Sequence, residues 1–315
     1  AFIDHPRCKL PLELIMLRHQ PEAWHPEDSA IFSRLMNWQM SHAWQGELVR
    51  AEIAEKVGVE RAAELDIHYP NSNPVTLPEG IEFNALDPDG NLRNVLGPFL
   101  ARGKGSNEWV IAPQRSQTGH AVLANDRHLV LGIPSLWYEV HLNAPGYHVT
   151  GVSLPGLPMV LVGHNERIAW GLTLAFSDAE DLFVEQIDAQ DPARYLYKDE
   201  WREAEIYEEE IQVKGVLEDF IERVVVTKHG PVISDRVGHQ DQKVSVQSMS
   251  LQPVPALEGW YKLNIAENWD DFVEAMRLIE APQLNVAYAD VEDNIGFWMT
   301  GKVLSLIHIS EPTRH

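Results

Sequence analysis

The sequence predicts an α+β fold with layered sheets and a helix-rich first part. Helical periodicity dominates the first hundred residues, and short β-type runs dominate from Ser106 onward. A single later helical pattern, followed by a hairpin pattern, completes the order.

In "HPEDSAIFSRLMNWQMSHAW", Pro26, Glu27 and Asp28 supply first-turn chemistry ahead of an apolar stripe at Ile31, Phe32, Leu35, Met36 and Trp38. That arrangement predicts a helix, and "GELVRAEIAEKVG" and "VERAAEL" predict two shorter ones. The segment "HYPNSNPVTLPEG" has no period and is dense in Pro, Asn and Gly, which predicts a surface loop or linker. Strands follow at "NEWVIAP", "HAVLAND", "YHVTGVSL", "PMVLVGHN", "IAWGLTLA" and "DLFVEQI", each closed by Gly, Pro, Asn or Asp. The runs "FIERVVVTKHGPVIS" and "KVSVQSMSL" continue the pattern before the helix "NWDDFVEAMRLIE". A final hairpin joins "LNVAYAD" to "NIGFWMT" through a turn containing Glu292 and Asp293. The chain therefore divides into a helical part over 1–80, a spacer over 81–105 and a strand-rich part over 106–303. Over 304–315, "LSLIHISEPTRH" follows neither period nor capping logic, resembles translated sequencing-adaptor read-through, and is expected to be non-native. The start, "AFIDHPRCK", has neither an initiator Met nor a signal-peptide pattern and reads as the edge of an internal piece.

Composition narrows the partners. Lys and Arg number 25 against 47 Asp and Glu, a net charge of −22 that repels phosphate backbones and anionic lipid, so no nucleic-acid partner is expected. No run of about eighteen apolar residues is present, so no membrane insertion is expected. With 44% hydrophobic residues the chain can bury a sizeable core. The lone Cys8 forms no internal disulfide and leaves an oxidising compartment open.

No glycine pattern fits a phosphate loop, no His-Glu-x-x-His run or cysteine pair suggests zinc, and no Gly-x-Ser-x-Gly elbow occurs. What remains is Ser106, closing the "GKG" run, with "ANDRHL", "GHNERIAWG", "FSDAEDLF" and "LNVAYAD". Each has a plain structural reading. A Gly-Ser pair makes a turn, His128 a solvated loop residue, and Asn285 a turn or bulge residue. Asp178 and Asp181, with Glu180 between them, form either a solvated acidic turn or a set of oxygens directed at one hard cation.

The segments "GSNEWVIAP", "AVLANDRHL", "LPGLPMVLVGHNERIAWGLT" and "DAEDLFVE", in this order, resemble the penicillin amidase family of N-terminal-nucleophile acylases. That family includes penicillin, cephalosporin and acyl-homoserine-lactone acylases. The likeness runs almost continuously from about residue 10 to residue 303. It implies a four-layer α/β/β/α fold, incomplete here, and a longer precursor cut after a glycine, which places processing between Gly105 and Ser106. The two products, an alpha and a beta chain, would form a heterodimer, exported to the periplasm or secreted.

Ser106 would then be the nucleophile, activated through a bridging water by its own new α-amino group, whose reference pKa is about 8. The resemblance assigns the oxyanion donors to the Leu174 backbone N–H and the Asn285 carboxamide, and the orientation of the hydroxyl to His128. It implies one structural calcium ion at Glu47, Asp178, Glu180 and Asp181, and no organic cofactor. Met40, Ser41, Trp44, Leu129 and Phe176 become the expected acyl pocket, although a stripe at helical spacing is equally a core face. The expected substrate is a small acyl amide of a β-lactam nucleus, a homoserine lactone or a similar amine. Many members carry an arginine just past the strand that ends here at Val303, where the unpatterned tail stands instead. Two other readings stay open: an unprocessed, non-catalytic binding protein or inactive fragment, and a serine hydrolase using His128 in a triad.

Overall fold

The computed structural model describes residues 9–41, 44–64, 105–129, 132, 135–177, 179–234, 243–302 and 304. Cys8, Asp178, the spacer as far as residue 104, Val303 and the tail from 305 lie outside the described residues.

The described residues begin with a short helix, α1 (Leu12–Leu17), for which no period is visible in the sequence. The helix predicted after His25 is α2 (Pro26–Gln39), entered through Pro26 and fastened by Asp28 Oδ2, which accepts the His25 N–H at 2.7 Å. Its buried residues are Ser33, Met36 and Asn37, and Phe32 and Met40 pack against the same core. The predicted stripe is thereby corrected: Ile31 and Leu35 are exposed, because α2 turns the 33–36–37–40 face inward. α3 (Trp44–Val57) and α4 (Val59–Ala63) answer the two shorter helical patterns.

The central sheet contains β3 (Tyr138–Ala144), β4 (Tyr147–Ser153), β5 (Val162–His164), β6 (Ile168–Leu174), β13 (Leu284–Asp290) and β14 (Ile295–Met299). Its order is β14-β13-β6-β5-β4-β3, antiparallel at every neighbouring pair. α5 (Ala256–Ile265) and α6 (Trp269–Leu278) pack against one face, where Trp260, Leu263, Phe272 and Met276 join Val149, Trp170, Val286 and Tyr288 in one core. Trp170 and Tyr288 stand opposite each other in the β6–β13 ladder, both fully buried. A hairpin of β1 (Gly105–Ile111) and β2 (Val122–His128) packs on the sheet through the face that carries Gly171 and Ala287. A Cβ on Gly171 would stand 2.8 Å from Asn125 Cβ, so glycine is what lets the hairpin approach so closely.

The "GHN" and following segments are framework. The Asn165 carboxamide donates to the carbonyls of Asn264 and Ala266 at 3.1 and 2.8 Å and accepts the N–H groups of Arg167 and Ile168 at 2.8 Å each. It thereby ties the β5–β6 turn to the end of α5.

Beyond the sheet, β7 (Glu180–Glu185) pairs with β12 (Lys243–Ser248), β8 (Arg194–Tyr197) with β9 (Glu200–Glu203), and β10 (Glu205–Ile211) with β11 (Phe220–Val226). The architecture is α+β. No described helix is long and apolar enough to cross a membrane.

Candidate active site

The β1–β2 register determines which side chains meet the central sheet. Ser106 is opposite Arg127, Glu108 opposite Asn125 and Val110 opposite Leu123. Facing residues of an antiparallel pair project to one side, and all six of these are half-buried. Asn107, Trp109, Ile111, Val122, Ala124, Asp126 and His128 make up the exposed side.

Ser106 belongs to the second pair of the β1–β2 ladder, and its hydroxyl donates to the Gly105 carbonyl oxygen at 2.5 Å. The nucleophile of the expected chemistry therefore lies against the peptide group it would attack. Ser106 and Gly105 open onto a cavity of about 200 Å³ whose walls include Met36, Met40, Leu129, Leu172 and Leu174. The wall is apolar apart from few groups, as an acyl pocket requires.

Leu174 ends β6 opposite Leu284, the residue before Asn285. The Asn285 Nδ2 donates to Thr173 Oγ1 at 3.2 Å and to the Leu174 carbonyl at 3.3 Å. The ladder thus brings the two expected oxyanion donors side by side, with Leu174 on the same cavity wall as Ser106. Both Asn285 contacts are long, so the carboxamide is held in place by weak partners.

Other expectations are redistributed. The His128 ring is on the exposed side of the hairpin, where Nε2 meets Asp126 Oδ2 at 3.0 Å. The structure does not bring it to the Ser106 hydroxyl, because His128 pairs with Gly105 and projects to the opposite side. Met40 and Leu129 reach the cavity; Ser41, Trp44 and Phe176 are not on its described wall. Ser41 is buried in framework, its Oγ bonded to the Asn37 carbonyl at 2.9 Å and to Ser250 Oγ at 2.6 Å. Trp44 opens α3 with its N–H 3.4 Å from Glu180 Oε2. Phe176 is exposed at φ 50, a backbone region uncommon for an aromatic residue, two positions after Leu174.

The acidic group is split by the packing of α3 on β7. Glu47 Oε2 accepts the Leu182 N–H at 3.1 Å, which brings α3 next to Asp181. Glu180 is completely buried, with Oε1 accepting from the Ser248 hydroxyl at 2.9 Å. Glu47 Oε1 and Asp181 Oδ2 are buried oxygens near this junction, and an all-oxygen donor set suits a hard cation. Among the described residues no three such side chains converge on one point, and Asp178 lies outside them.

Three inner-side residues lie within the quoted motifs without an assigned role, yet they shape the site. Asn125 donates to the carbonyls of Asn107 and Leu172 at 2.7 and 3.0 Å, and its Oδ1 accepts the Leu172 N–H at 3.2 Å. Arg127 Nη1 donates to the same Oδ1 at 2.9 Å, and its guanidinium stands over Trp137, 4.6 Å from the ring centre. Glu108 has a buried Oε2 with no hydrogen-bond partner among the described residues. The available signal is the alternation itself: a period-two reading of "SNEWV" and "LANDRH" places 106, 108, 125 and 127 on one side.

Comparison with known proteins matches a profile described as penicillin amidase to residues 1–307. An acyl-homoserine lactone acylase, QuiP, of Pseudomonas aeruginosa is 32% identical over 96% of this chain and 38% of its own length. The penicillin acylase 2 proenzyme of Pseudomonas sp. strain SE83 is 31% identical over 71% of this chain and 30% of its own. Among solved structures, a thermostable penicillin G acylase from Alcaligenes faecalis matches with a TM-score of 0.56 and 30% identity, over 62% of this chain and 35% of that one. The chain spans 38% of the length of the first of these relatives.

The half-buried carboxyl of Glu108, two residues from Ser106, makes stability depend on pH. Burial pushes Glu108 up to about 7 from an ordinary 4.5, against a hydrogen bond from the Ala287 backbone. The folded state then keeps a proton that the unfolded chain releases, so this group's contribution to stability is present below pH 4.5 and lost as pH rises through about 7. Glu108→Gln, which cannot titrate, should lose less unfolding temperature than wild type between pH 5 and pH 8 in calorimetry. Parallel curves for the two proteins would contradict the assignment.

Proposed function

This chain belongs to the penicillin amidase family, and we propose that it is the central part of an amide hydrolase that transfers an acyl group to Ser106 and then to water. The observation that carries the reading is the position of Ser106. It is the second residue of β1, with its hydroxyl on the Gly105 carbonyl, at the mouth of an apolar cavity whose wall includes Leu174. The relatives named as acyl-homoserine lactone and penicillin acylases suggest small acyl amides as substrates.

In the precursor, Ser106 Oγ attacks the Gly105 carbonyl carbon, the Gly105–Ser106 C–N bond breaks as the acyl group moves to oxygen, and water hydrolyses the ester. This frees the Ser106 amine, which accepts the hydroxyl proton through a water when an amide substrate binds. Oγ adds to the substrate carbonyl, and the Leu174 N–H and Asn285 Nδ2 donate to the oxygen on which negative charge develops. Collapse expels the amine with a proton and leaves an acyl-ester on Ser106, which a second water cleaves to the acid. His128 has no part in this scheme.

The same reading includes a two-chain heterodimer from one precursor, completion of a four-layer α/β/β/α fold by sequence outside this chain, and a periplasmic or secreted location. A calcium ion would be held by Glu47, Asp178 and Asp181, leaving Glu180 to its hydrogen bonds. The ion would supply charge neutralisation and tie α3 to β7.

Asn285→Ala in the full-length enzyme should lower kcat by on the order of a hundredfold to a thousandfold with little change in KM, measured on chromogenic acyl amides. Wild-type turnover would overturn the oxyanion assignment. Calcium should raise the unfolding temperature of the wild type and not of an Asp178→Ala, Asp181→Ala double variant. An equal shift in both proteins would place the ion elsewhere.

A further inference from the structure

Arg127 is the one cation on the described wall of the Ser106 cavity, whose other lining is dominated by Met36, Met40, Leu129, Leu172, Leu174 and Leu284. It stands directly across the β1–β2 ladder from Ser106 and projects to the same side. Its plane is set by two contacts, the Trp137 ring at 4.6 Å and Asn125 Oδ1 at 2.9 Å from Nη1. Nε is buried without a hydrogen-bond partner among the described residues. No carboxylate there forms a salt bridge with it, and the adjacent Asp126 is turned to His128 on the other side of the hairpin. Burial lowers the guanidinium's pKa from its ordinary value, against the pull of the Asp126 charge. A guanidinium offers five donors, and only one of them is used by Asn125.

A half-buried cation whose Nε is shut off from water, with spare donors and no salt-bridge partner among the described residues, carries a desolvation cost, and the cost is offset when an acceptor is supplied from outside. We propose that Arg127 is a specificity residue that receives an oxygen acceptor carried by the acyl group close to the scissile carbonyl. The acceptor is a keto, hydroxyl or carboxylate oxygen on an otherwise apolar chain. The apolar wall takes the carbon chain, and the guanidinium, held next to Ser106, selects chains that bear this oxygen. The inference rests on the acylase reading above and narrows its substrate class.

The test uses the processed full-length protein and amides of one chromogenic amine with acyl groups of equal length: plain alkanoyl, 3-oxo, 3-hydroxy and ω-carboxy. For at least one oxygenated chain, the ratio of its kcat/KM to that of the alkanoyl amide should fall about ten- to a hundredfold in Arg127→Met, the range for a hydrogen bond to a charged group. Arg127→Lys should retain part of the ratio. The oxygenated chain with the largest fall identifies the acceptor. A ratio unchanged in both variants, in an enzyme that works, overturns the role of Arg127 alone, because a framework role would lower both rates together. If the wild type cleaves none of the amides, the acylase reading fails and this proposal with it.

Discussion

The contact between the Asn125 carboxamide and the backbone of Leu172 is the constraint on which the site depends. β5 pairs with β6 only at Ala169 and Trp170, so further along β6 the edge has no β5 partner. Asn125 supplies both a donor and an acceptor to Leu172, as a neighbouring strand would, while its Nδ2 also reaches the Asn107 carbonyl within its own hairpin. An aspartate would lack the donor, and a leucine would leave both Leu172 groups unsatisfied at about 1–3 kcal/mol each. The same Oδ1 accepts from Arg127, so one side chain docks the hairpin and positions the cation of the cavity.

Two sheets meet at this point, and the chemistry depends on their meeting. Ser106 comes from the hairpin, whereas Leu174 and Asn285 come from the ends of two central strands. Leu174 is two residues beyond the Leu172 clamp, within the same extended strand. The proposed oxyanion donors therefore inherit their position from the sheet, and the proposed nucleophile inherits its own from the docked hairpin. Rigid strands on both sides suit a reaction whose electrostatic help must be in place before charge develops. The outer side of the hairpin, with Trp109, Ile111 and Val122 exposed, is an apolar face of this same unit.

Much of this was legible in the sequence wherever local chemistry and tertiary demand agree. The helix read from "NWDDFVEAMRLIE" is α6, capped by Asn268, which accepts the Asp271 N–H, and the β13–β14 hairpin turns at Asp293 with φ 67. Legibility failed where packing overrides propensity. α5 contains Gly259, a poor helix residue, required because a Cβ there would stand 2.7 Å from Ile279 Cγ1 and 2.9 Å from the Ala275 carbonyl. β10 reads "EIYEEEI", a charge run that hides a strand whose partner β11 supplies the valines. At the site, motif order pointed to Ser106, Leu174 and Asn285, which share a wall or a ladder. It passed over Asn125, Arg127 and Glu108, whose roles exist only once two strands are in register, and it gave His128 the orientation of the Ser106 hydroxyl, whereas the register turns that ring to Asp126 on the exposed side.

The most direct measurement is the N-terminal sequence of the products of a full-length precursor carrying this segment, expressed as wild type and as Ser106→Ala. The account predicts a wild-type chain beginning with a free-amine Ser106 without added protease, a single uncut chain for Ser106→Ala, and continued cutting in Ser106→Cys, where a thiol performs the same shift. Cleavage of Ser106→Ala at the same bond with wild-type efficiency would contradict self-processing by this residue and remove the main support for Ser106 as the nucleophile.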